Sequence, residues 1–496
     1  LQEKPWTVAL EGDSVETMQS MFAPTRSLSL MLSSLLLAML AVSARPVIAD
    51  EPAIEGYTDQ LSYRSGEKVA FHLSAKAPTA RVKIQRIGPE NRLVLEKDGI
   101  PVASHPMPER ASSDGCNWPV AWSFTIPADW TSGVYEAAFT PETDGKAAVI
   151  HFVVRSAQPG KTSKILLQLS ANTWNAYTNS GGHSLYSYHD KAGLQGHRVS
   201  FNRPQHSGMI HAWETPFIRW AERSGYTLDY AVNSDLEFHP EELSRYRLVL
   251  SVGHDEYWSS PMRDHLESFI KNGGNVAFFS GNTCCWQVRS EDGGRALTCW
   301  KQFFNMDPLY RNGDQRLLST LWSHHLVGRP ENELTGVGFL WGGYHLEHDQ
   351  VMDGDGAYQV HRPDHWVFAG TGLARGAKFG GEQTVVGYEC DGCEIEWRDG
   401  LPWATGRDGT PENFTVLATA PASWDPALKR FYDRMPLDRT GHAVLGLYTR
   451  GGTVFTCGST DWAHGLNGKN PVVERITRNI LDRLGEQAAK TGEGTE

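Results

Sequence analysis

From residue 52 to about 157 the chain alternates apolar and polar positions in short runs: QLSYRSGEKVAFHLSA, ARVKIQRIG, WSFTIPAD, GVYEAAFTP and AAVIHFVVRS. A side-chain period of two places one face of each run on a core and the other toward water, and Gly, Pro, Asp and Ser fall between the runs at turn spacing. The pattern predicts an antiparallel β-sandwich over residues 51–157, closed by the linker AQPGKTS. From Lys164 the rhythm changes. KILLQLS, YTLDYAV, RLVLSV and NVAFFS are near-continuous apolar strands, interleaved with the amphipathic stretches TPFIRWAERSGY and PMRDHLESFIKNG. Strands apolar on both faces and alternating with helices predict a parallel sheet covered on both sides. Residues 310–440 interrupt this with a Gly-, Trp- and His-rich stretch that reads as a β-rich insertion. The α/β rhythm returns in HAVLGLYTRGGTVFTCGSTDW, an antiparallel pair around Gly451–Gly452, and in a closing helix through VVERITRNILDRL. The expected fold is therefore multidomain β plus α/β, with an extension over 1–50, a sandwich over 51–157 and an α/β domain over 163–486.

The extension carries its own pattern. From Met21 it has a single Arg26, an apolar run from Leu28 to about Val42, and small residues at Ser43, Ala44 and Ala49. This is the order of a secretory leader with cleavage options at Ala44 or Ala49. A bilayer span needs roughly 20 apolar residues, so the expectation is an exported, periplasmic or secreted protein with no stable membrane insertion after leader removal. A membrane-anchored form is the alternative. Residues 1–20 are polar and precede the leader, which points to Met18 or Met21 as the start. Export would make one or two disulfides plausible among Cys116, Cys284, Cys285, Cys299, Cys390, Cys393 and Cys457. The Cys390–Cys393 pair lacks the second pair or histidines of a zinc finger.

Charge narrows the partners. With 46 Lys and Arg against 58 Asp and Glu the net charge is −12, which repels a phosphate backbone and argues against nucleic acid as ligand. The 17 tryptophans, many beside Gly, Asn and Asp, suggest an aromatic-walled pocket, with Trp174, Trp258 and Trp286 as its walls.

In open parallel sheets ligands bind beyond the carboxyl ends of the strands, where the following loops converge. Those loops are ANTWNAYTNSGGHSLY, GHDEYWS and GNTCCWQVR, and they nominate Tyr177, His254, Glu256, Tyr257 and Asn282 as neighbours. On the residues alone, Asp255 and Glu256 could bind a metal, act as base or cap the next helix. Tyr177 taken alone reads as a core tyrosine. Cys284 and Cys285 lie near the turn where a nucleophilic thiol could sit, although Asn282 occupies the elbow position itself.

At these residues the chain resembles the large (β) subunit of N,N-dimethylformamidase and its C-terminal-domain relatives. The likeness covers most of 120–485, through SGVYEAAF, TWNAYTNSGGHSLY, VGHDEYWS, GGNVAFFSGNTCCWQVR, GYECDG and VFTCGSTDWAHGL. It implies a glutamine-amidotransferase-like α/β domain without the usual cysteine, and a mononuclear Fe(III) held by two tyrosines and a glutamate. By motif these fall on Tyr135 of SGVY, Tyr177 of TWNAY and Glu256 of HDEYW, with His254 and Asn282 as catalytic partners. Phenolate and carboxylate oxygens are hard donors suited to such an ion. Glu389 is expected in an ion pair near the site, with Lys301 as its partner. The implied activity is Lewis-acid hydrolysis of the C–N bond of a small amide. The family's large subunit carries a further N-terminal domain, where this chain has the leader, and works with a small subunit. A small-subunit partner and a homo-oligomer are therefore both open. Two alternatives remain beside the iron hydrolase: a secreted, non-catalytic binding protein using the sandwich and aromatic loops, and a Cys-dependent amidase.

Overall fold

The strands of the N-terminal part assemble into two sheets. Ile54–Thr58, Lys68–Ala75 and Val120–Thr125 form an antiparallel three-stranded sheet. The second sheet has five strands in the order Ser62–Tyr63, Ala148–Val154, Gly133–Pro141, Thr79–Arg86, Arg92–Pro101. Period-two alternation sends Val69, Phe71 and Leu73 of the first sheet and Val82, Ile84, Ala137, Phe139 and Phe152 of the second into one buried cluster. The Phe71 ring packs 5.0 Å from Phe139 and 6.1 Å from Phe152. The computed structural model describes residues 53–485 other than 144, 190–192, 206–207, 348–349, 352–354 and 424–440. The leader read from the sequence lies outside the described residues.

The second part is built on a nine-stranded sheet, in the order Asp229–Val232, Ile165–Leu169, Leu248–His254, Asn275–Gly281, Gly452–Thr456, Gly441–Arg450, Thr415–Ala422, Tyr358–Val360, Lys378–Phe379. The first five strands run parallel. The hairpin at Gly451 then reverses the chain, and the remaining pairings are antiparallel. The sheet is thus mixed rather than parallel throughout. Three of its strands come from the stretch expected as an insertion, so that stretch completes the sheet in addition to adding small hairpins. The protein is β-rich with several sheets and packed helices, consistent with the expected β plus α/β class.

Every residue of Ile165–Leu169 and Leu248–His254 is buried. Alternate side chains enter two cores on opposite faces. Leu167, Leu250, Val252 and Phe279 pack with helices Glu214–Arg223 and Pro471–Gly485, through Phe217, Ile218, Ile476 and Ile480. Leu166, Val249 and Phe278 pack with Met262, Leu266 and Phe269 of helix Ser260–Lys271. That helix starts where Ser259 Oγ accepts the Met262 N–H at 3.3 Å, so the cap is Ser259 and not the acids before it. All seven cysteines are buried free thiols, which corrects the expectation of disulfides. No helix among the described residues is long and apolar enough to cross a membrane.

Candidate functional site

Parallel pairing brings the strand ends together. His254 closes its strand in register with Gly281, the residue before Asn282, and Tyr177 ends the helix Ala171–Tyr177 that follows the neighbouring strand. Glu256 lies two residues beyond His254 and is fixed from several sides. Its N–H donates to Thr173 Oγ1 at 2.9 Å, and Trp286 Nε1 donates to its Oε1 at 2.7 Å. The Tyr186 hydroxyl is 3.0 Å from both carboxylate oxygens and 2.6 Å from the Tyr177 hydroxyl, while the Tyr257 hydroxyl lies 2.8 Å from it. Three phenols, those of Tyr177, Tyr186 and the expected neighbour Tyr257, therefore converge with a carboxylate on one point.

The elbow after Asn275–Gly281 is strained by construction. Asn282 has φ 49°, a left-handed conformation that a non-glycine residue adopts only when its surroundings enforce it. Asp391 supplies that enforcement, accepting the Asn282 N–H on Oδ1 at 2.9 Å and the Thr283 N–H on Oδ2 at 3.1 Å. A Cβ on Gly281 would lie 2.4 Å from the Thr460 nitrogen and 2.5 Å from the Glu389 carbonyl, so only glycine fits there. Asn282 Nδ2 donates to Glu389 Oε2 at 3.1 Å. His254 Nε2 stands between two carboxylates, 2.8 Å from Glu389 Oε2 and 3.3 Å from Glu256 Oε2.

Burial and mutual repulsion set the charges. Burial, then the charge of Glu256, push the Tyr177 and Tyr186 hydroxyls well above the ordinary phenol range. Burial raises Glu256 as well, against the pull of His254 and Lys301. Burial also works against a charged His254, but Glu389, Glu256 and Asp255 outweigh it and lift the imidazole to about 9. Lys301 is buried with its ammonium 3.2 Å from the Tyr186 ring centroid; burial draws it down to about 8 although Glu256 opposes this. His254 Nδ1 and Asn282 Oδ1 are buried without a hydrogen-bond partner. Such a pocket, with clustered hard oxygen donors whose ionised forms repel one another and two unsatisfied buried polar atoms beside them, fits a small, highly charged cation.

The structure thus gathers Tyr177, His254, Glu256 and Asn282 as expected, and corrects Tyr135. That residue lies on the inward face of Gly133–Pro141, stacked 4.6 Å from Trp130, with its hydroxyl donating to the Thr131 carbonyl at 2.8 Å. The second phenol at the site is Tyr186, in the same loop as Tyr177, and a further tyrosine in a strand-end loop was the available signal for it. Glu389 pairs with His254 and not with Lys301, which faces the Tyr186 ring. Of the three expected tryptophans only Trp286 reaches the site. Trp174 donates to Glu214 at 3.2 Å, and Trp258 is enclosed in a core, donating to the Asp255 carbonyl at 3.0 Å. Trp213, which no sequence motif singles out, meets His254 edge-on at 5.7 Å. Asp255 is structural, accepting from Asn233 at 3.0 Å and Ser251 at 2.8 Å. Burial pushes the Cys284 and Cys285 thiols up, the opposite of what a nucleophile requires.

A β plus α/β protein with a buried carboxylate–phenol cluster at its parallel strand ends is the class these features define. Residues 81–475 match the family described as N,N-dimethylformamidase beta subunit-like, C-terminal, and the chain belongs to that family. It is similar to the N,N-dimethylformamidase beta subunit of Paracoccus aminophilus, 24% identical over 448 residues, covering 75% of this chain and 55% of that protein. The beta subunit of the same enzyme from an Alcaligenes species is 23% identical over 446 residues, with the same coverage. The chain spans about half the length of these curated relatives.

Proposed function

We propose that this protein is an iron-dependent hydrolase of small amides, with Tyr177, Tyr186 and Glu256 holding a mononuclear Fe(III). The observation that carries the reading is the Tyr186 hydroxyl, 3.0 Å from both Glu256 oxygens and 2.6 Å from the Tyr177 hydroxyl. The donor set supports iron over softer metals, and the names of the family and of its relatives support amide hydrolysis. A ferric ion bound there supplies Lewis acidity toward an amide carbonyl and toward water.

The residues around the donors divide the remaining work. In this reading His254 Nε2 takes the proton that the attacking water loses and returns it to the departing amine, while Glu389, 2.8 Å away, orients the ring. Asn282 Nδ2 lies 3.4 Å from that nitrogen, and its second N–H stabilises the carbonyl oxygen as charge develops on it. Lys301 and the rings of Tyr186, Tyr257 and Trp286 exclude water and keep the local charge balanced. The two N-terminal sheets over 51–157 form a β-sandwich and residues 163–486 an amidotransferase-like domain in the same proposal. As in relatives named as beta subunits, a small-subunit partner is part of it.

The test is metal analysis of the purified full chain, followed by a panel of small amides. One iron per chain with a phenolate-to-iron colour, lost in Tyr186→Phe and Glu256→Gln, together with C–N cleavage of at least one amide, is the expected result. A wild-type protein that takes up no iron, or variants that keep it, overturns the reading.

A further inference from the structure

We propose that Glu136, His151 and His211 form a second metal site, for a divalent ion of the zinc class. The sequence builds most of it by register. Glu136 and His151 are direct cross-strand partners on neighbouring antiparallel strands, and Tyr135 and Phe152 beside them point into the core, so the Glu136–His151 pair stands on the opposite face of the sheet. His211, on the short helix Met209–Ala212 from the α/β part, reaches this pair.

Three donors face one another. Glu136 Oε2 lies 3.4 Å from His151 Nε2 and 3.9 Å from His211 Nε2, and all three ligand atoms fall within 4.8 Å of each other. Zinc with bonds of 2.0–2.1 Å in tetrahedral geometry needs donors about 3.4 Å apart, so one pair already meets the requirement and the others need only modest closure. His211 Nδ1 sits 3.5 Å from Thr215 Oγ1, an outer partner on the helix side that leaves Nε2 turned toward Glu136. Two imidazoles and one carboxylate, with a fourth position open to water, are a donor set for a borderline ion. They differ in kind from the all-oxygen cluster around Glu256. Arg219 is the cation in the neighbourhood and sets a modest opposing charge. The other histidine–carboxylate group, His239 with Glu241 and Glu242, does not qualify, because Glu242 is already bound by the Arg64 and Arg155 guanidiniums.

The position gives the ion a consequence. His211 precedes Trp213 by two residues. The Trp213 indole donates to Asp461 at 2.8 Å and rests edge-on against His254. An ion at Glu136, His151 and His211 ties the five-stranded sheet to the segment that forms one wall of the candidate site. The inference does not depend on iron or on amide hydrolysis.

The experiment uses the untagged full chain, stripped with chelator and titrated with Co(II) as a spectroscopic probe and Zn(II) as competitor. The expected result is one equivalent of Co(II) with visible bands of four-coordinate character, displaced by Zn(II), and a rise in Tm with Zn(II). His211→Ala and Glu136→Gln lose both signals, and Glu256→Gln retains them. The His211 side chain is half exposed, so its alanine variant keeps the fold, and far-UV circular dichroism confirms this. His151→Asn provides an independent second variant. Absence of the bands and of stabilisation in the wild type overturns the site, as does their persistence in His211→Ala or their loss in Glu256→Gln.

Discussion

Two tyrosines of identical chemistry take opposite roles according to where the backbone aims them. Tyr135 is on the inward face of a strand, where its ring stacks on Trp130 and lies 5.6 Å from Phe152, and one carbonyl satisfies its hydroxyl. Tyr186 is in a strand-end loop, where its hydroxyl meets a carboxylate. A short phrase such as SGVY conveys residue type but not which face of the sheet it will occupy. Tyr135→Phe removes one neutral hydrogen bond and is expected to lower stability by about 1 kcal/mol while leaving the iron content of the protein unchanged. Tyr186→Phe removes a hydroxyl shared with Tyr177, Glu256 and Tyr257, and is expected to abolish iron binding and to cost more stability than Tyr135→Phe. Urea midpoints and metal content measured on the two variants side by side check this, and loss of iron in Tyr135→Phe would contradict the placement.

At the scale of elements, the convergence of Tyr177, His254, Glu256 and Asn282 was legible because parallel strands share one carboxyl edge, so any residue just beyond a strand end becomes a neighbour of the others. What came from elsewhere was not legible. Trp213 enters from the loop before helix Glu214–Arg223, and Glu389 begins a short strand more than a hundred residues beyond Asn282; no local periodicity reports either contact. The edge strand Arg92–Pro101 was missed for a related reason, since an exposed, charged edge shows little alternation. Gly253 shows how such elements are fitted together. It has φ +80°, and a Cβ there would fall 2.4 Å from Trp213 Cβ. Gly253→Ala is expected to destabilise the protein by about 2–4 kcal/mol, from the left-handed backbone and the collision together. Gly273 has φ +92° with nothing within 4 Å, so Gly273→Ala isolates the backbone contribution at about 1–2 kcal/mol. Equal losses in urea unfolding of the two variants would show that Trp213 does not press on the strand end.

Over the whole molecule, stability depends on pH through two sets of buried groups that oppose each other. His361 and His365 are held down to about 4, mainly by burial and further by neighbouring arginines, so the unfolded chain binds more protons than the folded one between about 4 and 6.5. Their contribution is complete above 6.5 and is lost as pH falls through 4. His365 has a structural reason to stay neutral, since its Nδ1 accepts the Val367 N–H at the start of helix Trp366–Phe368. Glu214 and Glu331 are raised by burial to about 8 and Asp391 to about 7, and one oxygen of each glutamate is buried without a hydrogen-bond partner. Here the folded protein binds the extra protons, so the contribution is complete below about 4.5 and is lost as pH rises through 7 and 8. Between 4.5 and 6.5 the two sets offset one another. Above 6.5 the carboxylates act, joined in the same direction by His254 with its value of about 9, while Lys301, drawn down to about 8, opposes them from there upward. Stability is therefore expected to fall between pH 6.5 and 8.5, each group contributing a slope of at most about 1.4 kcal/mol per pH unit. Glu331→Gln keeps the shape of the side chain without the proton, and is expected to flatten this limb in urea unfolding measured across the range. A slope identical to that of the wild type would mean that Glu331 is already ionised in the folded protein, and that its surroundings solvate the charge better than its burial implies.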